Sequence, residues 1–206
     1  MKLAFDQARR RLTDDSGRRF DPPTRAWIVD TAQGEAPVAV RDAVSWLQRE
    51  SGAPLREPIG VIGPRAATGS QVAAAEAIGS GLARMGLPVI CGGRQGVMEA
   101  VAKGAAEAGG VSVGLLPEAD AREANRYLTL AIATGIGEAR NALIARAAFC
   151  LIAIGDSYGT LSEVALGLQF GKLVLGLEGA ARLVGVRHCV DPDEALDGVA
   201  LHVLRL

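Results

Sequence analysis

The stretch "FCLIAIGDSYGTLSEVALGLQFG", residues 149–171, carries the pattern on which the fold assignment rests. An apolar run enters, a short polar turn follows, and a helical pattern leaves with Glu163 one turn in. A strand–turn–helix corner of this kind aims free backbone N–H groups outward, where they suit an anion. Gly159 and Thr160 supply amides and a hydroxyl at the helix start, with Ser157 just before them. Asp156 is the discordant residue, because a carboxylate in that turn repels a phosphate. Taken alone, Glu163 is an ordinary partner of a helix N-terminus.

The same order recurs on both sides of this stretch. "IGVIGP" leads to "TGSQVAAAEAIGSGLARMG", and "PVICGG" leads to "GVMEAVAKGAAEAGG". "VSVGLLP" and "LTLAIATG" read as further strands, "EARNALIARAA" as an amphipathic helix, "KLVLGLE" as a strand and "DPDEALDGVALHVL" as a closing helix. Apolar strands alternating with helices imply a mostly parallel sheet covered on both faces. Right-handed crossovers then give an α/β, Rossmann-like doubly wound fold over residues 58–206. Residues 1–57 follow different rules and are expected to form a short arm. "GRRFDPPTRAWIVD" reads as a hairpin or loose arm, and "VAVRDAVSWLQRES" has the apolar spacing of a short helix. The ligand-binding fold is expected to manage without residues 1–50.

Composition narrows the function. The 206 residues are 49% hydrophobic, enough for one substantial core and a small appendage. A formal net charge of -1 gives no pull toward nucleic acid or an anionic membrane. Aromatics at 4% argue against a base-stacking platform. The scattered Cys91, Cys150 and Cys189 show no paired spacing and read as reduced thiols. The beginning of the chain has no secretory pattern, and no stretch has the length of a membrane helix, so a soluble cytoplasmic protein is expected. His188 and His202 are the only histidines and have no partner at metal spacing. None of Lys2, Lys103 and Lys172 lies in a motif that suits a Schiff base.

Ligands of doubly wound sheets bind beyond the C-terminal strand ends, where the glycine turns of this chain gather. "GPRAATGS" places Gly63 and Arg65 there, and a capped turn with an exposed arginine explains it equally well. No GxGxxG follows the first strand, which disfavours NAD. "CGGRQGVMEA" places Gly92, Gly93 and Gly96 for close backbone approach, with Met98 packed beneath. "TGIGEARNALIAR" puts Arg140 and Asn141 at a helix start, where Arg140 is as consistent with surface as with ligand.

Together these segments resemble the LOG-like proteins, long mislabelled lysine decarboxylases. That family carries a GGxxGxM turn, matched here by Gly92-Gly93-Arg94-Gln95-Gly96-Val97-Met98, and a later PGGxGTxxE, matched in part by residues 155–163. Gly155, Asp156 and Ser157 replace the proline and leading glycines, while Gly159, Thr160 and Glu163 remain. The family's arginine precedes its glutamate as Arg140 precedes Glu163, and Asn141 stands where plant-type enzymes have a basic residue. The stretch 114–141 is similar to the branch related to molybdenum cofactor carriers.

The resemblance implies one of two activities. In the first, a phosphoribohydrolase cleaves the N-glycosidic bond of a nucleoside 5′-monophosphate, with Glu163 beside the ribose and Arg140 orienting it. The amides of Gly159 and Thr160 then hold the phosphate. In the second, the same pocket carries a phosphorylated pterin, the molybdenum cofactor, without turning it over. No cofactor is otherwise required. A homodimer or larger assembly is expected, because LOG-like relatives associate and the helices at 138–148 and 157–171 are apolar on more than one face.

Overall fold

The computed structural model describes residues 2–6, 9–30 and 36–206. The remaining residues of the arm assigned to 1–57, namely 1, 7, 8 and 31–35, lie outside the described residues. The chain divides into two compact units, Glu57–Leu196 and Met1–Arg56 with Asp197–Leu206. The closing residues therefore count with the first unit, and not with the doubly wound domain to which the sequence assigns them. Their apolar residues Val199, Ala200, Val203 and Leu204 are buried.

In the first unit, β1 (Leu3–Asp6), β2 (Arg11–Asp14), β3 (Arg18–Asp21), β4 (Ala26–Val29) and β5 (Ala36–Val38) form one sheet, followed by α1 (Val40–Arg49). The hairpin expected at 17–30 is β3–β4, and it is one part of a five-stranded antiparallel sheet ordered β4-β3-β2-β1-β5. Leu12 and Phe20 from the strands and Val44 and Leu47 from α1 are fully buried, each worth about 2 kcal/mol of burial. Two polar contacts bind the closing residues to this unit. The Trp27 indole donates to the Leu204 carbonyl at 2.7 Å, and Arg41 Nε pairs with Asp197 at 2.6 Å.

The second unit alternates strand and helix: β6 (Ile59–Ile62), α2 (Gly69–Arg84), β7 (Val89–Cys91), α3 (Val97–Glu107), β8 (Ser112–Leu116) and β9 (Leu130–Ala133). A 3-10 turn (Gly137–Arg140) and α4 (Asn141–Ala147) divide the segment that the sequence reads as one helix. Then come β10 (Leu151–Ile154), α5 (Tyr158–Gln169), β11 (Val174–Leu177) and β12 (Val186–His188), while α6 (Pro192–Val203) begins in this unit and ends in the first. Strands β6, β10 and β11 are buried along their whole length, which is why they read as continuous apolar runs. Thr68 starts α2 with a full capping box, its hydroxyl accepting from the Gln71 amide while the Gln71 side chain accepts from the Thr68 amide.

Seven strands, all paired parallel, lie in the order β12-β11-β10-β6-β7-β8-β9. The chain runs outward from β6 to β9 and then returns to the other side of β6 as β10. Loops leaving β6 and β10 therefore diverge, and a crevice opens between them. Helices α4 and α5 keep Leu143 exposed and Leu161 and Leu166 only half-buried. No helix among the described residues is long and apolar enough to cross a membrane.

Candidate functional site

A cavity of about 490 Å³ fills this crevice at the C-terminal ends of β6, β7 and β10. Of the residues singled out from the sequence, Gly63, Arg65, Gly92, Met98, Arg140 and Asn141 line it, as do Asp156, Ser157, Gly159, Thr160 and Glu163. Gly93 and Gly96 do not. Both have positive φ, and both serve the packing of the turn. A Cβ on Gly96 would lie 2.3 Å from the Arg65 carbonyl oxygen, and one on Gly93 would lie 3.2 Å from the Gly114 backbone. Gly92 is also claimed by the protein: a Cβ there would lie 2.6 Å from Met98 Sδ and 2.7 Å from the Arg140 guanidinium. Gly63 brings the loops after β6 and β10 together, since its Cβ would meet the Ile154 carbonyl at 2.5 Å.

Arg140 closes the 3-10 turn and lies across Gly92, its side chain only 6% exposed. One terminal N–H group is shared between the Asn141 side-chain carbonyl and Glu163 Oε1, the latter at 3.4 Å. Glu138 lies 3.8 Å from the other. Its Nε is buried with no acceptor among the described residues. A buried guanidinium N–H left unpaired is costly to the fold. Asn141 braces the helix start behind it, donating to Ser162 Oγ at 2.9 Å and to the Gly159 carbonyl at 3.4 Å.

Glu163 sits on the first turns of α5, 7% exposed and facing Arg140. Burial pushes its carboxyl up to about 8, the Arg140 guanidinium pulling the other way and Glu138 adding to the rise. Cys91, beneath the same arginine, is pushed up to about 11 by burial and is no nucleophile.

At the start of α5, Ser157 is the N-cap, and its hydroxyl accepts from the Thr160 amide at 3.1 Å. This corrects the expectation that the Gly159 and Thr160 amides both face an anion, because the Thr160 donor is already committed. Tyr158 and Gly159, the first two helical residues, keep N–H groups with no intrahelical acceptor. The nearest atoms to a Cβ on Gly159 would be Ser157 Oγ at 3.8 Å and Asn141 Nδ2 at 4.0 Å, so the space beside it is open. Asp156 is exposed at the cavity wall and has no ion-pair partner among the described residues.

Two charged residues that the sequence reading does not single out complete the lining, Arg94 and Glu138. Arg94 contacts Glu118 and lies 3.4 Å from Glu138, and its Nε is likewise buried without an acceptor. Its place inside the GGxxGxM turn was the available signal. Arg65, Arg94 and Arg140 thus line the cavity with Glu138, Asp156 and Glu163, and burial disfavours the charge of Glu163. Among the described residues no group of three or more His, Cys, Asp or Glu side chains is placed to hold a metal ion.

Known proteins agree with this architecture. The chain is 39% identical over 139 residues to an uncharacterized protein of Archaeoglobus fulgidus, covering 68% of this chain and 91% of that one. The molybdenum cofactor binding protein of Rippkaea orientalis superposes with a TM-score of 0.68 at 32% identity, over 72% of this chain and 99% of that one. The Moco carrier protein of Chlamydomonas reinhardtii gives a TM-score of 0.66 at 31% identity, over 73% and 100%. The model of the SLOG cluster4 family matches residues 56–196, the span holding every residue of the cavity, and the chain belongs to that family.

Proposed function

We propose that this protein binds the molybdenum cofactor, or a pterin phosphorylated in the same way, and holds it without cleaving it. The carrying observation is a cavity that Arg65, Arg94 and Arg140 line together with Gly159, whose missing side chain leaves open space. A glycosidase stabilises a developing cation with a charged carboxylate. Burial disfavours the charged form of Glu163 that this role needs. Similarity to proteins that bind or carry the cofactor supports the same reading.

In this reading the phosphate lies against the Tyr158 and Gly159 amides, in the space that Gly159 leaves open. The Arg140 guanidinium, which lines the same cavity, supplies positive charge beside it. The cofactor is cargo here, and the chain contributes binding and exclusion of water. Association through the exposed faces of α4 and α5 belongs to the same proposal, and light scattering at micromolar concentration checks it.

The test is anaerobic purification from molybdate-supplied cells, followed by mass spectrometry and metal analysis of the released ligand. Stoichiometric pterin and molybdenum are expected for the native chain, with loss in Gly159→Ala. A purine nucleotide in their place would overturn the proposal. The second reading, phosphoribohydrolase, is favoured by the 3.4 Å pairing of Arg140 with Glu163. Adenine release from AMP that disappears in Glu163→Gln would establish it.

A further inference from the structure

Two clefts in the first unit share a wall, and both lie outside the residues that match the family. One, of about 490 Å³, is lined by Phe5, Pro37, Val38 and Ala43. The other, of about 310 Å³, is lined by Arg11, Arg19, Phe20 and Pro22. Arg10, Trp46 and Glu50 belong to both. An apolar compartment therefore adjoins an arginine-rich one. We propose that these clefts form a second ligand site, taking a small aromatic oxyanion such as an aryl phosphate.

Trp46 supplies the first argument. Its indole N–H is buried with no acceptor among the described residues, and buried indoles ordinarily find one. Trp46 also lines both clefts, so a ligand in either meets its side chain. The Phe5 ring stands edge-on to Trp46, with centroids 5.2 Å apart and planes at 65°, which makes an aromatic corner for a flat ring. A volume of about 490 Å³ lies within the range of small-molecule sites.

The arginines supply the second. Arg10 pairs with Glu50 at 2.9 Å, but the two side chains are 60% and 57% exposed, and such pairs contribute little. An incoming anion can displace that contact. Arg19 lies 3.2 Å from Asp30 and 3.5 Å from Asp21, and Arg11 lies 3.5 Å from Asp30. These contacts use a fraction of the donors that a guanidinium fork presents. Arg10 itself holds φ 51 in the turn after β1, a backbone conformation that favours glycine.

Fluorescence tests this directly. Trp27 and Trp46 are the only tryptophans of the chain, so Trp27→Phe makes Trp46 the sole reporter. Titration with phenyl phosphate should change its emission saturably, with inorganic phosphate and phenol about tenfold weaker each. Arg10→Ala with Arg19→Ala should weaken phenyl phosphate about tenfold while the thermal midpoint holds. Gly159→Ala should leave the titration unchanged, because it alters the other cavity. Calorimetry on the native chain gives the same readout if Trp27→Phe does not fold. The proposal is overturned by no saturable response, by equal binding of inorganic phosphate, by a response that survives loss of both arginines, or by one that Gly159→Ala removes.

Discussion

In the turn after β7, the protein's own atoms occupy the space that each glycine provides: Arg140 and Met98 against Gly92, the Gly114 backbone against Gly93, two loop carbonyls against Gly96. In the turn after β10, Gly159 faces nothing closer than 3.8 Å. The first turn spends its glycines on packing and the second keeps one for something outside the chain. A glycine motif read from sequence therefore merges two functions, which separate only when each missing side chain is tested for what it would strike. Arg140 joins the two turns, since it rests on Gly92 and reaches Glu163.

The strongest way to break this contrast is a pair of alanines. Gly96→Ala combines a positive φ of 71° with a Cβ 2.3 Å from a backbone oxygen. Strain and overpacking together should cost about 3 kcal/mol of stability. Gly159→Ala adds a methyl to open space on a helix and should stay within about 0.5 kcal/mol of the native chain. Urea denaturation reads both. Equal losses would mean that the two turns are alike.

The sequence exposes some of this and hides the rest for physical reasons. Continuous apolar runs such as 151–154 and 174–177 are legible because a strand buried on both faces must be apolar throughout. Strand β12 is not, because Val186–His188 is a three-residue edge strand with two exposed side chains. The first unit looks like a loose arm because β3 reads Arg-Arg-Phe-Asp, with one buried residue among charges. Arg140 and Glu163 stand out by motif and interval. The Asn141 brace, the orphaned donors of Arg94 and Arg140, and the lining role of Glu138 depend on distances that no spacing rule conveys.

Glu163 sharpens the comparison through pH. Its carboxyl titrates near 4.5 when exposed and near 8 when folded. Between those values the unfolded chain has released the proton and the folded chain retains it. Raising pH through this window therefore favours unfolding, and this group's contribution to stability is greatest below about 4.5 and lost as pH rises through about 8. Glu163→Gln has no proton to lose. Its stability relative to the native chain should rise with pH across the window, with a slope of up to about 1.4 kcal/mol per pH unit. Parallel pH profiles would mean that Arg140 keeps the carboxylate ionised, which would restore the charge that the hydrolase reading needs.

Asp156 offers the finest test, because it places a charge beside the open glycine. Two like unit charges about 4 Å apart at an effective dielectric near 20 repel by roughly 4 kcal/mol, and solvent at the exposed mouth reduces this to about 1–2 kcal/mol. If the carboxylate opposes a bound phosphate, Asp156→Gly should tighten AMP or pterin phosphate about five- to thirtyfold. A cation bridging Asp156 to the phosphate would reverse the sign, so that the same change weakens binding and removes its dependence on magnesium. Calorimetry with and without magnesium distinguishes the two. We expect the tightening, since Asp156 has no charged partner among the described residues and lines the cavity. Unchanged affinity in both conditions would mean that the side chain turns away from the ligand. The open space beside Gly159 would then be the only specialised feature of that turn.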